Sequence, residues 1–302
     1  MSVRSRRHVF VIGTLLAGLV LAGCANPETI DRTTPEDSLA RVQGAAVKVA
    51  EARSARISMT MTTTFAGEQV AASTATTQGV YDYAAHKGQL DTTVKSAGLP
   101  FRMTQRMIVI GSTTYLKFPD MPQGQEEPPP GVPPIPGEHH KPWMKVELPK
   151  ELAGENPFSP GFGPVPDDSG GDPTQALSYL KSATTKVERV GSEQVRGTPT
   201  TRYAATFDAA KVADQAPEKF QGFVDEMGLS FPKPADVWID EQGRLRKIHY
   251  AMTMKVPKEM GAPASTMTNE MTMELYDFGV PVDVRPPPAD QVEVMPMDRP
   301  TP

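Results

Sequence analysis

The sequence predicts one α+β domain, in which an antiparallel β-sheet carries two or three helices on one side. Two observations predict the elements: helix-capping signals recur along the chain, and the short segments around them alternate apolar with polar residues. A third predicts their pairing, because strands that follow one another through tight turns form antiparallel neighbours. The chain length of 302 residues suits one such domain preceded by a tether.

The N-terminus predicts an exported lipoprotein. Arg4, Arg6 and Arg7 precede an uncharged run over 9–22, and a basic head before a short apolar segment is typical of a secretory signal. The run ends in Leu-Ala-Gly-Cys24, which resembles a bacterial lipobox, and Cys24 is the only cysteine. We therefore expect diacylation of the Cys24 thiol, for example with palmitate, and cleavage of the chain before Cys24. The alternative is an ordinary signal peptide with a chance cysteine.

Acylation of Cys24 would anchor the protein at the extracytoplasmic face of the cell membrane, since two or more acyl chains hold a protein stably. The predicted organisation is then a signal peptide over 1–23, a lipidated tether over 24–33, one domain over 34–295 and a disordered tail over 296–302. The remaining sequence has no apolar run long enough to span a bilayer.

Charge and cysteine content exclude several classes of protein. Once the signal's three arginines are removed from the 31 basic residues, 28 remain against 36 acidic ones, a net charge of −8. Nucleic-acid binding and electrostatic attraction to anionic lipid both need basic patches, so neither is expected. With a single cysteine no internal disulfide can form, and stability must come from a core. We expect a monomer without a cofactor.

The first helix is predicted from Thr34 to about Ala52. Thr34 suits the N-cap, Pro35 the first helical position and Asp37 the acid of a capping box. The apolar face of this helix consists of Leu39, Val42, Ala46 and Val49.

Strand-type alternation follows this helix directly. Ile57, Met59, Met61 and Phe65 share one face, and serine and threonine occupy positions between them. Turn signals such as Gly111-Ser112 separate further β-rich segments, which indicates a meander of neighbouring strands. These segments cover about 73–84, 88–96, 101–110, 112–118 and 142–148.

Two proline-rich segments interrupt the strands. Residues 119–142 hold nine prolines and residues 149–173 hold six. A sheet interior does not accommodate this, so both are predicted to be long surface excursions. The first is expected to join two adjacent strands, 115–118 and 143–148. A polyproline ligand for a partner is the alternative to a passive insertion there.

The second half begins with another capped helix. Asp172, Pro173 and Gln175 repeat the cap, first-turn proline and capping-box pattern of the first helix. Asp208 is expected to cap a further helical stretch to about Met227, interrupted by a proline. Strands are predicted near 184–195, 199–207, 235–240, 244–256 and 266–278, followed by an extended tail from residue 281.

Three motifs in this second half resemble those of LppX/LprG-type lipoproteins and the wider LolA-like group. They are GSEQVRGTPTTRY over 191–203, VWIDEQGRLRK over 237–247 and YDFGVPVDV over 276–284. The resemblance implies a strongly curved antiparallel sheet, a half-barrel, with helices on its concave side. It also implies that the space between sheet and helices holds the acyl chains of lipid or lipoglycan. The two proline-rich excursions depart from the family pattern.

Methionine placement is independent evidence for such a cavity. The chain has 16 methionines, and several in predicted strands stand two residues apart, so that they share a face. Methionine has low strand preference compared with Val or Ile, but its flexible side chain lets a wall adapt to variable ligands. The alternative is a core that packs the helices. The candidate ligand-binding residues are Met59, Met61, Met103, Met107, Met252, Met254, Met271 and Met273.

The motifs of catalysis are missing from the sequence. It contains no Gly-x-Ser-x-Gly elbow, no P-loop and no His-Glu-x-x-His. His139 and His140 are adjacent and do not form a ligand set by themselves, and His249 is expected to pack within a strand. We predict a lipoprotein, not an enzyme, that binds or carries a lipid or lipoglycan. The alternative is an envelope protein-binding or sensing module with the same fold and no lipid.

Overall fold

A computed structural model describes residues 34–66, 73–96, 102–117, 141–147, 180–214, 227–256 and 265–294. Residues 34–302 form one compact unit. The predicted signal, lipobox and tether lie outside the described residues. So do the proline-rich excursions apart from residues 141 and 142, the cap at Asp172, and the tail after residue 294.

Twelve strands form one open, curved sheet, which confirms the predicted fold class. The order across the sheet is β12-β6-β5-β4-β3-β2-β1-β11-β10-β9-β8-β7. The strands are β1 (Ser54–Ala66), β2 (Ser73–Asp82), β3 (Lys87–Ser96), β4 (Arg102–Ile110), β5 (Thr113–Lys117), β6 (Trp143–Glu147), β7 (Thr184–Val195), β8 (Thr198–Phe207), β9 (Ala235–Asp240), β10 (Leu245–Val256), β11 (Ser265–Tyr276) and β12 (Val292–Val294).

The sheet consists of two antiparallel meanders, β1 to β6 and β7 to β11, which join where β1 pairs with β11. This central pair keeps an uninterrupted register from Arg56 opposite Tyr276 to Ala66 opposite Thr266. Strands β5 and β6 are neighbours, as predicted for the two ends of the first proline-rich excursion.

One pairing corrects the purely antiparallel prediction, because β12 runs parallel to β6. The chain after β11 passes through residues 277–288 and a 3-10 turn at Ala289–Gln291 before it reaches the β6 edge. It reaches the sheet beside the first residue of β6, with Val292 opposite Trp143, and then runs in the same direction as β6. The two strands therefore pair in parallel. This three-residue strand has too short an apolar pattern to be recognised in the sequence.

Helix α1 (Pro35–Glu51) begins as predicted, with a capping box between Thr34 and Asp37. The Thr34 hydroxyl accepts a hydrogen bond from the Asp37 backbone N–H at 3.1 Å, and the Asp37 carboxylate accepts one from the Thr34 N–H at 3.1 Å. The Thr34 hydroxyl also donates to the Asp37 carboxylate at 2.8 Å, and this bond, together with the one from the Thr34 backbone N–H, lowers the pKa of Asp37. The helix packs mainly on β7 and also contacts β8, β9 and β10. A short helix α2 (Ala209–Ala213) follows the Asp208 cap.

The side of the sheet that α1 covers is the inner face, and the opposite side is the outer face. The buried helix residues Val42, Ala45 and Val49 share one core cluster with inner-face residues of both meanders. A single row of partners crosses seven strands of this face. From β6 to β11 it consists of Met144, Leu116, Met107, Leu90, Gly79, Ile57 and Leu275.

Candidate functional site

The strand register places all eight candidate methionines on the inner face. On β1 and β11, Met59 lies opposite Met273 and Met61 opposite Met271. The other four are brought to the same side by the β2–β3–β4 ladder and by the pairing of β10 with β11. They are Met103, Met107, Met252 and Met254. The predicted parity of these strands is therefore correct, and ligand binding by these residues stays a prediction.

Burial divides the eight methionines into two groups. Six of them belong to the packed core, where Met271 and Met273 are each 1% exposed. Met61 and Met103 are only half-buried and lie outside the core cluster. Most of the eight methionines therefore form a packed core, which was the alternative to a ligand-binding wall. A ligand could reach Met61 and Met103 without displacing packed side chains.

The half-buried methionines belong to an apolar strip at one end of the inner face, which we call the apolar rim. The rim lies where β1 and β3 end and where β2, β4 and β11 begin. Met61, Ala75, Val94 and Met103 form one row of register partners, and Phe65 pairs with Met267 beside them. Every rim residue is half-buried. The defining residues are Met61, Phe65, Ala75, Val94, Met103 and Met267.

Two polar pairs interrupt the apolar inner face, and the sequence analysis missed both. The hydroxyls of Thr77 and Thr92 lie 2.9 Å apart, and both residues are buried. The Thr63 hydroxyl donates to Oδ1 of Asn269 at 2.7 Å. The sequence does contain a signal for such residues, namely a polar residue at an alternate position of a strand whose other alternate positions are methionines. Asn269, for example, lies two residues from both Met267 and Met271.

The outer face has the opposite character, because a charged network covers its β7 to β11 side. Arg202 bridges Glu193 at 3.0 Å and Asp236 at 2.9 Å, and the Trp238 indole donates to Glu193 at 2.9 Å. Hydrogen bonds from Trp238 and Arg202 lower the pKa of Glu193. Arg196 pairs with Glu274 on the same face. These groups stabilise each other and leave the outer face polar.

An open groove of about 640 Å³ also lies on the outer face, beside residues 283–284. Arg56, Lys95 and Arg102 line it together with Asp91 and Asp283. Asp91 already binds Arg106 at 2.6 Å. Charges of both signs line the groove, so it does not offer the apolar surface that an acyl chain needs.

The histidines and carboxylates of the described residues were the candidates for a metal site. No group of three or more His, Cys, Asp or Glu side chains within them could hold a metal ion. His249 lies on the outer face with its Nδ1 atom 3.0 Å from the Thr272 hydroxyl, so it is a surface-strand residue and not an inner-face one. No helix in the described ranges is long and apolar enough to cross a membrane.

Comparison with known proteins gives structural similarities alone. No protein-family model matches the chain, and no curated protein matches it significantly. It is similar to LprF from Mycobacterium bovis, with 14% identity, a TM-score of 0.41 and coverage of 84% of this chain and 98% of that one. It is also similar to the Mycobacterium tuberculosis lipoprotein LppX, with 14% identity, a TM-score of 0.42 and coverage of 83% and 100%.

A weaker similarity, with a TM-score of 0.22 and 11% identity, links the chain to a DUF1329 family protein from Desulfovibrio piger, with coverage of 81% of this chain and 95% of that one. The resemblance to LppX-type lipoproteins that the sequence motifs predicted is thus confirmed as a structural similarity. Scores this low carry no conclusion about ligand or function.

Proposed function

We propose that this protein is a lipid-anchored envelope lipoprotein that binds or carries a lipid or lipoglycan, without catalysis, through its inner face. The observation that carries the proposal is the apolar rim, which meets the packed core where Met61 lies opposite Met271. Acyl chains offer only apolar contact, so their affinity depends on the apolar area that they cover. A half-buried apolar strip next to a methionine-rich core supplies such area.

Methionine content supports the same proposal. A rim built from Met61, Met103 and Met267 can change side-chain conformation to fit chains of different length and unsaturation. Valine or isoleucine at these strand positions would be stiffer at χ1. The surface chemistry therefore fits a family of acyl lipids better than one rigid ligand.

Localisation belongs to the proposal as well. Acylation at Cys24 would keep the domain within reach of the membrane surface, from which an acyl lipid can be taken up or to which it can be delivered. The net negative charge of the chain does not favour adsorption on anionic headgroups, so the covalent anchor would supply the membrane association.

Native mass spectrometry of residues 25–302, which contain the whole compact unit, tests this function. We expect the protein purified from a bacterial host to carry lipid adducts that solvent extraction removes. A protein that is free of lipid, and that stays free after incubation with diacyl lipids, would contradict the proposal. If that empty protein captured one defined envelope protein, the binding-module alternative would replace it.

A further inference from the structure

We propose that Asn269 is a polar recognition point within the apolar rim and donates a hydrogen bond to an ester carbonyl of the bound acyl lipid. This inference rests on the proposed function and adds to it the chemical class of the ligand. It assigns a role to the one amide side chain among the buried residues of the described core.

The position of Asn269 is defined by its neighbours on the inner face. It lies on β11 between Met267 and Met271, directly opposite Met252 on β10 and Thr63 on β1. Because cross-strand partners have adjacent side chains, three methionines and one threonine surround the amide. The residue is 9% exposed. It therefore sits at the border between the packed core and the rim.

The hydrogen bonds of this amide are incomplete. Thr63 donates to its Oδ1 atom at 2.7 Å, whereas the Nδ2 group has no hydrogen-bond partner among the described residues. The Nδ2 atom is not among the fully buried side-chain atoms that lack a partner, so it lies on the accessible side of this 9% exposed residue and is hydrated in the free protein. A donor in this position can exchange that water for an acceptor on a bound ligand.

An ester carbonyl fits this donor better than a sugar or a phosphate does. The ester oxygen of an acyl lipid accepts hydrogen bonds, donates none and is attached directly to the apolar chain. Met267 and Phe65 lie next to Asn269 on the side of the rim, and an apolar surrounding accommodates a single acceptor but not a hydroxyl-rich headgroup. The acyl chain would then cover the rim while its carbonyl oxygen meets Nδ2.

A competition between two lipids tests this inference on residues 25–302. The probes are 1,2-dioleoylglycerol and its dioleyl diether, which has the same chains but no carbonyl oxygen. An equimolar mixture is offered to the protein, and native mass spectrometry measures the ratio of the two adducts. We expect the wild-type protein to prefer the ester roughly three- to tenfold, the range of one net hydrogen bond.

The test variant is Asn269→Leu, which is expected to fold because an apolar side chain suits this surrounding and half-buried Thr63 is accessible to water. Its ester-to-ether ratio should fall to about one while total lipid binding persists. Gln78→Leu is the matched control: it makes the same kind of amide-to-leucine change at an exposed position of the outer face and should keep the wild-type ratio. If Asn269→Leu loses its β-sheet circular dichroism, Asn269→Ala replaces it.

The outcomes separate the inference from the proposed function. A wild-type ratio of one, or an unchanged ester preference in the Asn269 variant, would overturn the role of Asn269 and leave lipid binding intact. A wild-type protein that binds neither lipid would overturn the proposed function, and the inference with it.

Discussion

Met61 and Met271 lie directly opposite each other on β1 and β11, yet Met271 is 1% exposed and Met61 is half-buried. The boundary between the packed core and the apolar rim therefore runs between two adjacent side chains of the same type. This contrast provides a test in which the residue type and the face of the sheet are held constant and only the burial differs.

Charge substitutions on either side of this boundary should have different effects. We expect Met61→Glu to fold, because its carboxylate can reach water at the rim, and to lose most lipid binding. Met271→Glu places an unpaired charge in the core, which costs several kcal/mol and should unfold the domain. Thermal unfolding followed by circular dichroism, together with a lipid-retention assay, separates the two. A folded Met61→Glu protein with full lipid retention would remove the rim from the binding site.

Replacement of Cys24 with Ser should abolish lipidation and signal cleavage at that position. Cells are labelled with a clickable fatty acid, and the immunoprecipitated protein is read by in-gel fluorescence and intact mass. We expect label on the wild-type protein and none on the variant. Label that survives in Cys24→Ser would show that another residue is acylated.

The alternation in the sequence predicted the sheet well. In a strand with one buried face, the hydrophobic residues show which alternate side chains point towards the core. Ile57, Met59 and Met61 illustrate this, since all three lie on the predicted face. The distinction between Met61 and Met271 could not be predicted, because it depends on what covers each end of the face. Periodicity reports which side of a strand is apolar and does not report how deeply each position is buried.

Two further features were missed for related physical reasons. Asn269 stands at an alternate position that is otherwise apolar in this strand. A single polar residue there weakens the apolar pattern and does not show which side chains of the neighbouring strands it contacts. Strand β12 spans only Val292–Val294, and its pairing with β6 depends on where the preceding chain delivers it. Such tertiary relationships are absent from a local pattern.

The capping box of α1 should contribute measurably to stability. Thr34→Ala removes the hydroxyl that accepts from the Asp37 backbone, and loss of such a cap costs about 1 kcal/mol. Urea unfolding at pH 7 measures the change. An unchanged midpoint would show that packing on β7 alone holds the helix.

The same variant should alter the pH dependence of stability. The Thr34 hydrogen bonds lower the pKa of Asp37 in the folded state, so their contribution is present above the carboxyl's ordinary pKa. It is lost as the pH falls through the lowered folded value. We therefore expect the difference between wild type and Thr34→Ala to shrink in acid, and a difference that stays constant with pH would argue against this coupling.

Removal of residues 289–302 should expose the edge of β6. Strand β12 pairs with this edge, and Lys141 donates to the Val292 carbonyl at 3.1 Å. Unpaired edge strands associate with one another, so the shortened protein should dimerise or aggregate. Analytical ultracentrifugation compares it with a protein that lacks only residues 295–302 and keeps β12. Monomers in both samples would show that β12 does not protect the edge.

Photolabelling with a diacyl lipid that carries a diazirine in one acyl chain shows directly whether the inner face binds lipid. The lipid is incubated with residues 25–302, illuminated, and the modified peptides are mapped by tandem mass spectrometry. We expect label on the inner face, concentrated at rim residues such as Met61, Met103 and Met267. Label confined to the outer face, or no label above that of a heat-unfolded control, would contradict it.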